Sequence, residues 1–235
     1  MNRVAFTIDI DWASDEVCQY ALDLFRHHDI KCTIFATHDS VVLKNLDKNL
    51  FELGIHPNFL PLLQGNAAKK SIENTLQNLL DIFPDAKGVR SHSLVQSGGM
   101  FDDFKKIGLE YSSNQYLAYW DNIKPYKLWN GLIEVPFNWC DDGHFLYNFP
   151  FSNSMLSLKA PLNIFCFHPI HIFLNTHEQL LYEQARPYLR DSKQLRELRN
   201  KKSLGVYDLL LSLINSVNTL GLQTFKMSEI IESPY

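Results

Sequence analysis

Short apolar runs alternate with amphipathic stretches along most of the chain, and each kind of stretch predicts a different secondary-structure element. The apolar runs have the length of strands that are buried on both faces. We predict strands at 4–8, 31–36, 53–56, 88–91, 109–112, 132–137, 162–168 and 223–225. The amphipathic stretches have helical spacing, and they predict helices at 14–28, 71–83, 100–107, 176–200 and 204–220, with a helical turn from 228.

The alternation of strands and helices determines the expected fold class, which is α/β. Successive βα units place their strands in parallel, and the number of units along this chain favours a barrel over an open sheet. No repeat, low-complexity tract or long linker divides the sequence, so we predict one domain that spans residues 1–235. In such barrels the catalytic residues lie at the carboxyl ends of the strands. Candidate chemistry is therefore expected where the apolar runs end.

Composition limits the binding partners and the cellular compartment that we expect for this protein. The chain has 235 residues, of which 46% are hydrophobic and 20% charged, and its net charge of −4 gives no general attraction to nucleic acid or to an anionic membrane. No apolar run is long enough to span a membrane. The cysteines form no Cys-x-x-Cys pair, and the N-terminus is a strand rather than a signal peptide. These features predict a cytoplasmic protein with free thiols, and they leave the oligomeric state open.

Two aspartates follow the first predicted strand. Asp9 and Asp11 are one residue apart, and strand alternation would place both side chains on one side of an extended chain. Neighbouring carboxylates repel each other unless a cation or a proton lies between them. The pair suits a metal-dependent hydrolase, in which one carboxylate binds the ion and the other accepts a proton from water. A strand end followed by an aspartate helix cap is the alternative interpretation.

Polar residues also follow three other predicted strands. His56 ends the third strand, Arg90 and His92 end the fourth, and His168 ends the strand at 162–168. A charged group behind an apolar run is costly unless it is paired or bound to a metal. Any one of these histidines is more often structural than functional. Four strand ends that carry such residues nevertheless indicate one site.

These segments resemble the polysaccharide deacetylases of the NodB-homology type, also called carbohydrate esterase family 4. Within that family the chain is similar to the WbmS-like proteins of bacterial surface-polysaccharide gene clusters. The matching segments cover nearly the whole chain and are 6–12, 54–59, 134–142, 165–169 and 225–230. The resemblance implies a distorted (β/α) barrel of about seven parallel strands.

The resemblance also implies separate roles for the residues of the first half. Asp9 matches the catalytic base, Asp11 the metal-binding aspartate, and Arg90 the arginine that holds the base. His56 matches the first histidine of a metal-binding His-x-x-x-His motif. The second histidine of that motif should stand at position 60, which is Leu60 in this chain.

The departure at Leu60 leaves the expected metal one protein ligand short of a usual catalytic zinc site. We hypothesise that His92, which stands where the family usually has a proline, supplies the missing ligand. The amide oxygen of Asn58 is a weaker candidate, and a site that has lost its metal is the alternative. Histidine and carboxylate ligands suit zinc first, and also cobalt, nickel or iron.

In the second half of the chain, the resemblance implies a catalytic acid. His168 matches the histidine that protonates the leaving group, and an acidic residue after the segment 134–139 should pair with it. Asp141 and Asp142 both follow that segment, and we favour Asp142.

Three functions are compatible with these residues. The first is a metal-dependent hydrolase that removes an N-acetyl group from an amino sugar or a sugar intermediate of surface-polysaccharide biosynthesis. The second is an amidohydrolase that acts on a non-sugar amide or a ureide, and the third is an inactive carbohydrate-binding relative. A cytoplasmic location favours a biosynthetic intermediate over a mature polymer as the N-acetylated substrate.

Overall fold

The computed structural model describes residues 2–64, 71–147, 149–152 and 156–232. Within these ranges the strands are β1 Arg3–Asp9, β2 Cys32–Ala36, β3 Phe51–Ile55, β4 Gly88–Val89, β5 Tyr111–Ser112, β6 Tyr126–Lys127, β7 Ile133–Glu134, β8 Trp139–Cys140 and β9 Leu162–Phe167. The α-helices are α1 Asp15–His27, α2 Leu60–Leu63, α3 Ile72–Leu80, α4 Gly98–Lys106, α5 Asp141–Leu146, α6 Pro169–Leu174, α7 Gln179–Ala185, α8 Ser192–Leu198, α9 Val206–Thr219 and α10 Met227–Glu232. Short 3₁₀ turns occupy Val41–Leu43, His92–Leu94 and Arg186–Tyr188.

All nine strands belong to one curled sheet. Their order is β6-β7-β5-β4-β3-β2-β1-β9-β8. The pair β6–β7 is antiparallel, and every other neighbouring pair is parallel. The carboxyl ends of the parallel strands therefore meet at one end of the sheet.

One continuous segment, residues 133–140, brings the two ends of the sheet together. In its first half the Val135 N–H donates to the Ser112 carbonyl at 2.8 Å, next to β5. In its second half the Asn138 N–H donates to the Ile164 carbonyl at 3.1 Å, in β9. β7 and β8 thus act as one strand of a barrel, which with β1–β5 and β9 gives seven parallel strands. The predicted barrel fold is confirmed.

Alternate residues of β1 face opposite sides of the sheet, as the strand repeat requires. The residues on its outer side pack with the helices in the larger apolar core and are Val4, Phe6 and Ile8. The residues on its inner side are Ala5, Thr7 and Asp9. Because all six residues between Val4 and Asp9 are buried, a polar side chain on the inner side needs a partner inside the barrel.

Serine caps set the starts of two predicted helices. The Ser71 hydroxyl accepts the Asn74 N–H at 3.1 Å at the start of α3, and the Ser97 hydroxyl accepts the Met100 N–H at 3.3 Å in α4. Each cap satisfies an amide that the helix itself leaves without a partner. None of the helices in the described ranges is both long and apolar enough to cross a bilayer.

The predicted elements differ from the observed ones mainly in the last third of the chain. The predicted helix at 176–200 is divided into α7 and α8 by the turn Arg186–Tyr188, because Pro187 has no N–H to continue a helix. The predicted strand at 223–225 is reduced to one parallel bridge between Thr224 and Val4. Helix α6 was missed, although a proline at its first position is a typical start signal.

Candidate active site

The loop after β1 carries the two predicted aspartates, but they do not share an extended strand. β1 ends at Asp9, and the next residues turn, with φ of 39° at Asp11 and 57° at Trp12. Such left-handed conformations cost about 1–3 kcal/mol each for residues other than glycine. The turn still brings both carboxylates to His56, whose Nδ1 lies 4.0 Å from Asp9 Oδ2 and whose Nε2 lies 3.1 Å from Asp11 Oδ1. The prediction of an extended pair is therefore wrong, although the turn leaves both carboxylates next to His56.

Arg90 directly follows β4 and is completely buried inside the barrel. Its Nη1 donates to Asp9 Oδ1 at 2.9 Å and to Thr7 Oγ1 at 2.8 Å, and its Nε donates to the Ser113 carbonyl at 3.0 Å. Two phenyl rings cover the guanidinium at 4.5 and 4.4 Å from their centroids, those of Phe35 and Phe137. Burial alone would lower the pKa of Arg90, but the Asp9 carboxylate outweighs it and raises that pKa. Arg90 is thus a fixed cation that orients Asp9.

The second oxygen of Asp9 meets a thiol. The Cys166 Sγ–H donates to Asp9 Oδ2 at 3.5 Å, and Arg90 Nη1 lies 3.2 Å from the same sulfur. Burial raises the pKa of Cys166 well above its ordinary value, so the group is a neutral thiol that can donate. Asp9 therefore has a strong donor on one oxygen and a weak donor on the other.

Asp11 faces two imidazoles, and together they are a candidate metal centre. Asp11 Oδ1 lies 3.1 Å from His56 Nε2 and 3.1 Å from His92 Nδ1. The ligand atoms of the three side chains all lie within 4.8 Å of one another. One carboxylate and two imidazoles are a donor set that fits zinc and related divalent ions. The three residues that the sequence proposed as ligands are therefore adjacent.

The environment of Asp11 favours its charged form. Burial would raise the pKa of Asp11, but hydrogen bonds from His56 and His92 and the charge of His168 hold it far below the usual range. A permanently ionised carboxylate is the form that binds a cation.

The loop after β3 explains what stands in place of the missing histidine. Leu60 begins helix α2, and the Leu60 N–H donates to Asn58 Oδ1 at 3.0 Å. The Asn58 amide oxygen is thus already used as a local cap. This leaves His92 as the better placed of the two substitute ligands.

His168 has a buried carboxylate partner, which is Asp141. His168 Nδ1 donates to Asp141 Oδ1 at 2.6 Å, and the His168 backbone N–H donates to Asp141 Oδ2 at 2.8 Å. The preference for Asp142 as this partner was wrong. β8 ends at Cys140, which pairs with Cys166, so a continued strand would place Asp142 beside His168. The chain instead turns into α5 at Asp141, and this turn brings the Asp141 carboxylate to His168.

Asp142 instead lies at the opposite nitrogen of His168. Its side chain is 53% exposed, with Oδ2 3.6 Å from His168 Nε2 and Oδ1 2.7 Å from His171 Nε2. His171 is buried, and its Nδ1 lies 3.0 Å from Thr176 Oγ1. His171 was not among the predicted site residues, although its spacing of three residues from His168 indicates that both could share a helical turn.

Three carboxylates surround His168. Burial would lower the pKa of His168, but Asp142, Asp141 and Asp11 outweigh burial and raise it well above the ordinary value. Burial would likewise raise the pKa of Asp142, while His168 and His171 lower it below its usual range. His168 is therefore protonated and Asp142 is ionised at neutral pH.

One cavity of about 630 Å³ at the carboxyl ends of the strands is lined by six of the aspartates and histidines above: Asp9, Asp11, His56, His92, Asp142 and His168. Its wall also includes residues for which the sequence offered no signal, among them Tyr116, Leu146, Gln179 and Tyr182. A second hollow of about 510 Å³ lies near the amino ends of β3 and β4 and contains none of the proposed site residues. The first cavity is therefore the candidate active site.

The family model of the WbmS-like polysaccharide deacetylases matches residues 6–186, and the chain belongs to this family. The predicted family is thus confirmed.

Solved structures agree with this assignment. A protein assigned as a polysaccharide deacetylase involved in O-antigen biosynthesis (WbmS) from Bordetella bronchiseptica is 36% identical, with a TM-score of 0.85 over 92% of this chain and 90% of that one. Two proteins of Bacillus anthracis share the fold at a TM-score of 0.51. One is a family 4 carbohydrate esterase, 12% identical over 98% of this chain and 83% of its own. The other is a family 4 pseudoenzyme, 14% identical over 97% of this chain and 65% of its own. No curated protein gives a significant match.

Proposed function

We propose that this protein is a metal-dependent hydrolase that removes the N-acetyl group from an amino sugar of a surface-polysaccharide intermediate. The observation that carries the proposal is the position of Asp11, which lies between a candidate base and a candidate acid. On one side, His56 contacts Asp11 and also lies 4.0 Å from Asp9. On the other side, His168 Nε2 lies 3.6 Å from Asp11 Oδ2. A substrate held at Asp11 is within reach of both groups.

Asp11, His56 and His92 would hold the metal ion, for which we propose zinc. When bound, such an ion lowers the pKa of its water from 15.7 to about 7 and polarises the substrate carbonyl. Three protein ligands leave the open position that catalytic zinc sites require. In this proposal His92 replaces the histidine that Leu60 cannot supply.

Asp9 accepts the proton of the attacking water. Arg90 fixes the carboxylate through Oδ1, and the thiol of Cys166 approaches Oδ2. Because a thiol is a weak donor, Oδ2 is the less strongly hydrogen-bonded of the two oxygens. We therefore assign proton acceptance to Oδ2, the oxygen on the side of His56.

His168 protonates the departing amine from Nε2, so the C–N bond breaks and the products are acetate and the free amino sugar. Asp141 accepts the Nδ1–H and so turns Nε2 towards the cavity. General acid–base steps of this kind contribute about 10²–10⁴-fold each.

The proposal places the enzyme in the cytoplasm, with an N-acetylated sugar as its substrate and no nucleic-acid partner. All four cysteines are free, as a reducing compartment allows. The relative from Bordetella bronchiseptica, which is described as acting in O-antigen biosynthesis, supports a sugar rather than a ureide as the substrate.

An inactive carbohydrate-binding protein is the second candidate, and Leu60 is the observation that favours it. Purified protein tests the two directly. We expect about one equivalent of divalent metal per chain and metal-dependent release of acetate from N-acetylated sugars. Metal-free protein that binds such sugars without releasing acetate would favour the second candidate, and release of product from ureides alone would favour an amidohydrolase of non-sugar substrates.

A further inference from the structure

One carboxylate of the cavity has no role in the steps above. Asp142 lies at the proton-donating nitrogen of His168, whereas Asp141 lies at the other nitrogen. Asp141 is fully buried, while the Asp142 side chain is 53% exposed and lines the cavity. Asp142 is therefore accessible to a substrate in a way that Asp141 is not.

Asp142 is nevertheless held in place. The Asp142 carboxylate accepts a hydrogen bond from His171 Nε2–H at 2.7 Å, and His171 Nδ1 lies 3.0 Å from the Thr176 hydroxyl oxygen. His171 and Thr176 are both buried, at 1% and 0% exposure. An aspartate in the first turn of a helix does not need a buried histidine that is itself held by a buried threonine. This chain of contacts therefore indicates that the orientation of Oδ2 in the cavity is functionally important.

The position of Oδ2 relates it to the leaving atom of the substrate. A general acid must lie within about 2.6–3.2 Å of the atom that it protonates. Asp142 Oδ2 is 3.6 Å from His168 Nε2, so an atom at hydrogen-bond distance from Nε2 can also lie at hydrogen-bond distance from Oδ2. Asp11 Oδ2 is equally close to Nε2, but Asp11 is assigned to the metal.

The two possible leaving atoms differ in what they offer Asp142. The nitrogen of an N-acetyl group carries a hydrogen, which the carboxylate accepts, and it leaves with further hydrogens as an amine or ammonium. The oxygen of an O-acetyl ester carries only lone pairs until it is protonated, and a carboxylate repels them. Charge-assisted hydrogen bonds are about twice as strong as neutral ones, so this difference is large enough to select a substrate.

We propose that Asp142, positioned by His171, accepts a hydrogen bond from the leaving nitrogen and thereby makes the enzyme select N-acetyl over O-acetyl groups. The inference rests on the proposed function and adds the class of bond that the site prefers. Asp142 is on this basis a specificity-determining residue, and His171 is a positioning residue that acts through it.

The test compares Asp142→Asn with the wild-type enzyme on two matched probes. One probe is the methyl glycoside of N-acetylglucosamine, and the other is the methyl glycoside of glucose with an O-acetyl group at the same carbon. We expect kcat/KM for the N-acetyl probe to fall about 10–100-fold and that for the O-acetyl probe to stay the same or rise, because the repulsion of its oxygen is removed. The preference of the enzyme for the amide should fall accordingly.

Asp141→Asn is the matched control, because it weakens the acid without touching the leaving atom. It should lower the activity on both probes in parallel. Inhibition gives a second measurement: glucosamine should inhibit the wild type more strongly than glucose, and Asp142→Asn should remove that difference. Parallel losses on both probes in Asp142→Asn, or an unchanged activity on the amide, would overturn the inference. A wild-type enzyme that releases acetate from neither probe would overturn the proposed function, and this inference with it.

Discussion

The base side and the acid side of the site are built in different ways. Asp9 and Arg90 lie at strand ends inside the barrel, where the buried guanidinium donates to two side chains and a backbone carbonyl. Asp141 and His168 lie where strands pass into the short helices α5 and α6, and the neighbouring Asp142 is half exposed. The proposed base is therefore fixed by the core of the fold. The proposed acid is fixed by two helix starts and remains open to what enters the cavity.

The largest effect is expected from Asp9→Asn. This change removes the base but keeps the size of the side chain and an acceptor for Arg90. Acetate release should fall by about 10²–10⁴-fold, as measured by kcat at saturating substrate. The metal content should stay at the wild-type level, because Asp9 is not one of the proposed ligands. A variant that keeps wild-type turnover would remove the base side from the mechanism.

Arg90→Met should reveal how far the base side supports the fold. The change leaves the Asp9 carboxylate buried at 4% exposure without its cation, and breaking one partner of a buried pair costs about 3–5 kcal/mol. Urea denaturation measures this loss. Lys48→Met, which breaks an exposed ion pair with Asp85, is the control and should cost less than about 1 kcal/mol. Equal losses of unfolding free energy in the two variants would mean that Arg90 stabilises the fold no more than an exposed ion pair does.

His92→Ala tests the ligand that joins the two sides. If His92 binds the metal, its loss should lower the metal affinity by more than about 100-fold. A residue that only hydrogen-bonds to a metal ligand contributes roughly 10–100-fold. Competition with a chelating dye measures the affinity. Asn58→Ala is the matched control and should leave the affinity near that of the wild type, because its amide oxygen caps Leu60. Unchanged metal binding in His92→Ala would disprove the hypothesis.

The smallest effect concerns Glu134, a buried carboxylate near the base side with no proposed catalytic role. Glu134 Oε1 accepts the Asn114 N–H at 2.7 Å and the Gln115 N–H at 3.0 Å, and Ser112 Oγ–H donates to Oε2. Glu134→Ala should cost about 1–3 kcal/mol of stability, because these donors lose their acceptor. Glu134→Gln keeps an acceptor and should cost less.

The pH dependence of the Glu134 variants has a definite sign. Burial raises the pKa of Glu134, so its ionisation opposes folding, and the stability that the protonated group contributes is lost as pH rises through the folded-state pKa. The stability of Glu134→Gln relative to the wild type should therefore improve from acidic to neutral pH. Denaturation curves at several pH values measure this, and a relative stability that falls with rising pH would contradict the assignment.

Strand ends were the part of the site that the sequence predicted well. Asp9, His56, Arg90 and His168 follow apolar runs, and parallel strands bring their carboxyl ends together whatever the loops do. The barrel itself followed from the same alternation of strands and helices.

Turns were the part that the sequence could not resolve. The left-handed backbone at Asp11 breaks the strand alternation, and no residue type near it predicts such a turn. The error between Asp141 and Asp142 arose because one residue of register decides which carboxylate faces His168. Residues such as Tyr116 and Tyr182 reach the cavity through tertiary packing alone, which leaves no local pattern.

The segment 133–140 also bears on the order in which the chain folds. It pairs with β5 and with β9, and β9 in turn pairs with β1, whose residues lie more than 150 positions earlier, as in the hydrogen bond between Thr7 and Phe165. Loops of that length close late, because their entropy is lost before the contacts compensate. Asp141 directly follows this segment and reaches His168 across only 27 positions, whereas the contact between His168 and Asp11 needs β1 to pair with β9. A partly folded chain can therefore hold the proposed acid, but the proposed site is complete only in the closed barrel.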